Sequence, residues 1–552
     1  MRYIRGFPST MMDEVPLNTT MVIEHAAKNF GEQEVVSRNL GGSLHRYTYK
    51  DAYARIQKLA CALEALGVEP GERVGVVSWN THRFFELYFG IPGVGAVLLQ
   101  MNLRLHPTEL VYVGKHSRPR VIFVDASLLP LAEAIAPHIP AERYVIMADG
   151  DMPKTSLPNA LSYEGLLDAQ PASYDFPLID EKSSYSACYT SGTTGNPKGV
   201  YYSHRSIILH TMAVCFATGL KPDDTFFQLV PMFHAQGWGA FFAAAMAGAK
   251  LVLPGRYTLE DPTPLIELMQ QERVTLAAGA PAIFVPMWHA LEKMEPRPNF
   301  SMRALCGATE PPLAMIRGLD EFGIEIVHAY GASETTPLVS INVIKPSLKA
   351  ALSEDEQLDL KRSQGIPFFG VDIKLADENG NEVPEDGHSV GELLVRGPWV
   401  TQGYYNDPRT FDGFSGEAYA RYWRSGDGAV IDKNRYIKIV DRFKDVIKSG
   451  GEWISSVDLE NHLIAHPKVK EACVVGIPHP KWEERPLALV VAKPELKEAV
   501  SKEELLEHLA NRFAKWQLPD EIVIVEELPK TSVGKLAKRA AREAYKRHYT
   551  ER

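Results

Sequence analysis

Residues 189–200 read YTSGTTGNPKGV. Gly192, Gly195 and Gly199 are interleaved with the hydroxyls of Thr190, Ser191, Thr193 and Thr194, and Lys198 adds an ammonium. Glycine lets a backbone take left-handed conformations and approach a ligand closely. Clustered backbone N–H groups, hydroxyls and one cation make a cradle for a polyanion. The run before it, 185–189 with Ala187 and Cys188, has strand character, so the cradle is expected at a strand-to-loop turn. Spacing rejects a Walker loop, which needs Gly, four residues, Gly-Lys and then Ser or Thr. Counted from Gly192, Lys198 is in place, but Pro197 stands where the second glycine belongs and Gly199 where the hydroxyl belongs. Proline has no N–H to offer a phosphate.

The chain has 552 residues, more than one core serves, so at least two domains are expected. It is 45% hydrophobic and 23% charged, an ordinary globular composition. A net charge of -10 argues against nucleic acid as a partner. Any site for a phosphate-bearing ligand therefore needs its own local cations. Cys61, Cys188, Cys215, Cys306 and Cys473 form no C-x-x-C pair, so neither a zinc site nor a disulfide framework is expected. They read as small buried hydrophobes in a reducing compartment. Residues 1–15 lack the apolar core of a signal peptide. The longest apolar stretch, 237–249, is too short to span a bilayer, so no transmembrane segment and a cytoplasmic location are expected.

The first part of the chain alternates helical and strand patterns: a helix over 53–66 ending at Gly67, and strands over 73–78 and 120–124. The alternation resumes from Cys188 to about Tyr330, with strands over 250–253 and 325–328. Such alternation predicts βαβ units and parallel sheets. From 365 to 396 the texture changes to short alternating segments, VDIKLAD and GELLVRG, around the turn-rich NGNEVPEDG, which reads as a small antiparallel barrel or sheet. The stretch 436–448 runs from a strand into a polar junction. Beyond it lie a helix over 456–465, a strand over 472–477 and a helix over 502–513.

YTSGTTGNPKGV resembles the phosphate-loop signature of the adenylate-forming superfamily, which includes acyl-CoA synthetases, peptide-synthetase adenylation domains and luciferases. Further signatures follow in the family's order: VPMFHAQGW (230–238), GATEPP (307–312), HAYGASETT (328–336), SGD (425–427), VDRFKDVIKSGGEW (440–453) and LPKTSVGKL (528–536). The chain is most similar to bacterial and archaeal fatty-acyl-CoA synthetases and to ligases for short thioether acids. That resemblance implies an α/β protein. A large N-terminal adenylation domain (1–440) would combine two stacked parallel-sheet subdomains with a small β-barrel at about 365–440. A small mobile α+β domain (441–552) would follow, hinged at Asp441. Homodimerisation through the N-terminal region is also implied.

The implied reaction condenses a carboxylic acid with ATP to acyl-AMP and pyrophosphate, then transfers the acyl group to CoA. A carboxylate needs this activation because its leaving group would otherwise be oxide. The departing pyrophosphate calls for Mg²⁺ and cations, and the developing charge at phosphorus calls for donors. The resemblance assigns Thr190, Ser191, Gly192, Thr193, Thr194 and Lys198 to the phosphates. Thr190 and Glu334 would hold Mg²⁺, since one carboxylate plus phosphate oxygens is a usual magnesium site. Gly307, Ala308 and Thr309 would lie on the adenine side, with the role of Glu310 open. His328, Ala329, Tyr330, Gly331 and Ser333 would contact adenine and phosphate, Tyr330 by stacking. Asp427 would bind the ribose hydroxyls. Arg442 would contact ribose or phosphate, and Lys444, Lys448 and Trp453 would lie on the nucleotide side. Ser449, Gly450, Gly451 and Glu452 would line the CoA tunnel. Lys535 is the expected catalytic lysine, chosen over Lys530 and Lys538 because it follows Gly534 directly. The basic tail beyond it reads as an exposed amphipathic helix. His234, Trp238, Gly279, Ala280 and Ala308 would form the acyl pocket, His234 against the carboxylate and Trp238 as gate. The acid itself stays open among fatty, short thioether and aromatic acids.

Overall fold

The runs Arg73–Val77, Val97–Gln100 and Val121–Asp125 are apolar on both faces and buried along nearly their whole length. Strands of that kind belong in a parallel sheet covered by helices on both sides. The computed structural model describes residues 4, 6–190, 196–410, 422–450, 452–493, 500–530 and 536–549, and it places these runs inside a seven-stranded sheet. The spatial order is Ala160–Ser162, Arg143–Met147, Val121–Asp125, Arg73–Val77, Val97–Gln100, Ser184–Thr190 and Lys198–Ser203. All neighbours are parallel except the last two, which form an antiparallel hairpin.

A nine-stranded sheet follows the same logic. Its parallel centre runs Ile324–Tyr330, Met302–Cys306, Leu276–Gly279, Thr225–Phe227, Lys250–Leu253 and Glu34–Arg38. Antiparallel strands border both edges. The helices Tyr49–Ala65, His82–Gly93 and Ala240–Ala247 lie between the two sheets. Their Tyr49, Phe85, Phe89 and Phe242 share one buried cluster with Val74, Val76 and Leu251 of the sheets. Each fully buried aromatic of this layer contributes about 1.5–3 kcal/mol. The apolar stretch at 237–249 is therefore core.

The helix expected over 53–66 begins earlier, at Tyr49. Thr48 caps it: its side chain accepts from Asp51 N–H while the Asp51 carboxylate takes Thr48 N–H, which satisfies two otherwise orphaned donors. The region expected as a small antiparallel barrel or sheet is an antiparallel sheet of four strands. Its strands Asp372–Ala376, Gly391–Arg396, Trp423–Ile431 and Ile437–Arg442 lie in sequence order, and the first and last do not pair among the described residues. The next sheet starts at Ile447 and combines Ile447–Ser449, Glu452–Ile454, Val469–His479, Glu483–Ala492 and Glu521–Ile524 with the helices Ser456–Ile464 and Lys502–Ala510. This gives a mixed α/β fold with a large N-terminal part built on parallel sheets and a small C-terminal part. Among the described residues no helix is long and apolar enough to cross a membrane.

Candidate active site

In open parallel sheets, ligands bind beyond the carboxyl ends of the strands. Four such ends in the nine-stranded sheet carry the expected residues. Tyr330 leads to Gly331, Ser333 and Glu334; Cys306 to Gly307; Gly279 to Ala280; and Phe227 to the segment bearing His234 and Trp238. From the other sheet, the hairpin of Ser184–Thr190 and Lys198–Ser203 approaches the segment after Tyr330, where the Tyr202 hydroxyl donates to the Ser333 carbonyl at 2.9 Å.

Thr190 and Lys198 are register partners, so the ends of the phosphate loop are pinned face to face. Ser191, Gly192, Thr193, Thr194 and Gly195 lie outside the described residues. Lys198 Nζ sits 4.6 Å from the centroid of the Tyr404 ring, and the Tyr404 hydroxyl donates to Glu334 Oε1 at 2.9 Å. Trp423 Nε1–H in turn donates to the Tyr404 hydroxyl at 3.3 Å. Burial raises the Glu334 carboxyl pKa, opposed by the Tyr404 hydrogen bond and the Lys198 charge. Tyr404 carries no motif and was not legible in the sequence. The tightness of this corner explains Gly331, because a Cβ there would meet the Pro337 carbonyl oxygen at 1.4 Å.

Asp427 lies within the strand Trp423–Ile431, opposite Arg442 on Ile437–Arg442. Arg442 Nη1 reaches Asp427 Oδ1 at 3.0 Å, and the Tyr330 hydroxyl donates to Asp427 Oδ2. Tyr330, expected only to stack on adenine, thus also orients the candidate ribose carboxylate. His328 lies at the end of the same strand as Tyr330. It is buried, its Nδ1 lies 2.8 Å from the Arg362 carbonyl, and burial lowers its pKa to about 4. Its side chain therefore ties the strand end to the segment at Arg362.

On the acid side, Pro231–Ala240 is buried except at His234 and Trp238. Asn80 fixes this segment: its amide donates to the Gln228 and Val230 carbonyls at 2.7 and 2.9 Å and accepts from Met232 N–H at 2.8 Å. Asn102 Nδ2 lies 3.4 Å from His234 Nδ1. Trp238 crosses to Gly307, where an added Cβ would stand 3.2 Å from the indole. Gly279 is buried beside Phe284, Ala280 is half-buried, and Ala308 and Thr309 are exposed at the adjoining turn.

In the C-terminal part, Asp441 is buried under Lys538, whose Nζ lies 2.9 Å from Asp441 Oδ2, 2.9 Å from Glu460 Oε1 and 2.7 Å from Ser456 Oγ. The tail expected as an exposed amphipathic helix forms the helix Lys538–Tyr545, which buries Ala541 and, at its first residue, most of the Lys538 side chain. Lys530 pairs with Glu471 at 2.7 Å. Both rival lysines are thus held in ion pairs, while Lys535 lies outside the described residues. Lys444 and Lys448 line an open cavity of about 340 Å³ with Glu378, Glu483 and Glu484. Lys448 pairs with Glu378 and lies 4.8 Å from the Trp453 ring centroid. Arg485 Nη1–H donates to Ser449 Oγ at 3.0 Å, and Gly450, at φ 62, donates its N–H to the Trp482 carbonyl. Gly451 and the side chain of Glu452 lie outside the described residues. Glu310, whose role the motif left open, is 4% exposed and pairs with Arg362, while Asn461 Nδ2 donates to it at 3.2 Å.

The hairpin end at Thr190 and Lys198, Glu334 beneath Tyr404 and the Asp427–Arg442 pair go with a class: enzymes that bind AMP. The chain belongs to the AMP-binding enzyme family. That family's model matches residues 23–405, and the model of the AMP-binding enzyme C-terminal domain matches residues 458–535. The chain is 44% identical to the long-chain-fatty-acid–CoA ligase of Thermus thermophilus, over 99% of this chain and 98% of that one. It is 40% identical to the 3-methylmercaptopropionyl-CoA ligase of Ruegeria pomeroyi, over 96% of this chain and 98% of that one. Its fold matches a crystal structure of the anthranilate CoA ligase AuaEII in complex with anthranoyl-AMP, with a TM-score of 0.82 and 25% identity. That match covers 98% of this chain and 100% of the other. The protein is an AMP-forming acid–thiol ligase that uses ATP and CoA.

Proposed function

We propose that the acid is a medium- to long-chain fatty acid. The observation that carries this reading is the emergence of His234 and Trp238 alone from a buried run, above the small residues Gly279, Ala280 and Gly307. Small side chains leave room for an apolar chain. The likeness to the Thermus ligase supports the same acid. A short thioether acid is the second reading, supported by the Ruegeria relative.

In this reading His234 orients the carboxylate, Lys198 and the hydroxyl loop hold the departing pyrophosphate, and Asp427 and Arg442 hold the ribose. Lys535 bridges the carboxylate and the α-phosphate. Glu334 and Thr190 suit Mg²⁺: Glu334 is a carboxylate with desolvation to recover, and the partner of Lys198 in the hairpin register is Thr190. When bound there, the ion would neutralise charge on the phosphates. The C-terminal part then turns about Asp441 so that Ser449 and Gly450 line the path of the thiol, because one lysine cannot remain in the site while CoA enters. Cysteines with no disulfide among them support a cytoplasmic location. CoA-dependent AMP release across a panel of acids tests the reading. Dodecanoate and hexadecanoate are expected to exceed 3-methylthiopropionate and benzoate by about tenfold or more in kcat/KM. The reverse order overturns it.

A further inference from the structure

Residues 401–410 read TQGYYNDPRT and form a strap that touches both Glu334 and the hairpin of the phosphate loop. On one side, Thr401 N–H donates to the Glu334 carbonyl at 2.7 Å, and the Tyr404 hydroxyl donates to the Glu334 carboxylate. On the other, Tyr405 N–H donates to the Gly199 carbonyl at 2.9 Å, and Lys198 lies over the Tyr404 ring. Thr410 closes the strap: its Oγ1 accepts from Tyr404 N–H at 2.9 Å and donates to the Tyr404 carbonyl at 3.1 Å.

The first stem of the hairpin is held as well. His116 Nε2 lies 3.4 Å from the Asn406 carbonyl, and His116 Nδ1 lies 2.8 Å from the Tyr189 hydroxyl. A carbonyl only accepts, so Nε2 carries the proton and Nδ1 accepts from Tyr189. Asn406 has φ 42, in the left-handed region where Asn is enriched.

Arg409 reaches past Lys198, where its Nη1–H donates to the Asn196 carbonyl at 2.9 Å. Asp407 orients it: the carboxylate, 5% exposed, accepts from Arg409 Nε–H at 2.8 Å. A planar guanidinium holds two acceptors in one fixed geometry, which a lysine ammonium does not. Pro197, between Asn196 and Lys198, has a fixed φ, so a held Asn196 carbonyl sets the course of the chain into Lys198.

We propose that Arg409, oriented by Asp407, is a positioning residue that aims Lys198 and thereby sets the affinity for ATP and pyrophosphate. The inference rests on the assignment of Lys198 to the departing pyrophosphate given above. Because the same strap holds Glu334, the cation and the carboxylate keep one relation to each other.

The test is pyrophosphate exchange by the full chain, using the acid that ranks first in the panel above, with rates measured against ATP, pyrophosphate and the acid. Conversion of the added acyl-AMP to the thioester is measured beside it. Arg409→Ala is expected to raise KM for ATP and for pyrophosphate about tenfold or more, with kcat, the KM for the acid and the thioester step within about threefold of the wild type. Arg409→Lys keeps the charge without the fork and is expected to show most of the same rise. Asp407→Asn leaves the guanidinium unoriented and is expected to show that rise if Arg409→Ala does not fold. An unchanged KM for pyrophosphate in the folded variants, equal losses in every quantity, or full recovery in Arg409→Lys overturns the inference. Lys198→Ala separates the two readings. If it keeps the KM for pyrophosphate, the assignment of Lys198 falls; if it raises that KM while Arg409→Ala does not, the inference alone falls.

Discussion

Glu334 accepts from Tyr404, faces Lys198 and is desolvated enough to titrate above an ordinary glutamate. Its ionised form is the one that suits a cation, so a raised pKa puts the acid-side loss of activity at higher pH than an unperturbed carboxylate would. The Tyr404 hydrogen bond favours ionisation, so Tyr404→Phe should move the acid limb of the kcat/KM profile for ATP to still higher pH. A pyrophosphate-exchange profile checks this, and an unmoved limb would detach Tyr404 from the site. Glu334→Gln should cost about 10²–10³-fold in adenylation, as loss of a well-placed charge typically does. Lys535→Ala should lose adenylation on the same scale yet still convert added acyl-AMP to the thioester; equal loss of both half-reactions would refute two separate closures. At this scale the sequence named most candidates, because phosphate and diol chemistry use few residue types. It missed Asn80, Gln228 and Tyr404, whose work depends on neighbours far along the chain.

Among the elements, the left-handed turn at Ala235–Gly239 was the least legible. Periodicity marks 237–249 only as apolar, and nothing in GWG announces successive positive φ values. Gly239, at φ 69, is where the conformation requires glycine, and an added Cβ would also stand 2.8 Å from the buried His210 ring. Gly239→Ala should therefore destabilise the fold by about 1–3 kcal/mol, read as a lower denaturation midpoint at unchanged slope. A neutral result would mean that the turn relaxes freely. Strands were easier: Lys250–Leu253 matches its expected bounds, because a short apolar run buried on both faces has few alternatives.

Across the whole molecule, the N-terminal and C-terminal parts meet through charge. Arg362 pairs with Glu310 and lies 3.6 Å from Asp458 of the helix Ser456–Ile464; Lys438 reaches Asp458 at 2.7 Å, and Arg512 reaches Asp359 at 3.0 Å. Glu310→Ala would strip the buried Arg362 of its most enclosed partner. Breaking a buried pair from one side costs about 3 kcal/mol or more. Faster protease cleavage near residue 442 and a lower denaturation midpoint are expected, and resistance equal to the wild type would place the domain contact elsewhere.

The sequence by itself determined the class of chemistry and the layered α/β plan, since a glycine–hydroxyl–lysine loop and runs of doubly buried strands are local properties. Only the tertiary structure decided that Glu310 joins the two parts, that Lys538 locks onto Asp441 and that His328 is buried against the Arg362 carbonyl. Charge pairs and burial across hundreds of residues depend on which surfaces face each other, and no spacing along the chain records that.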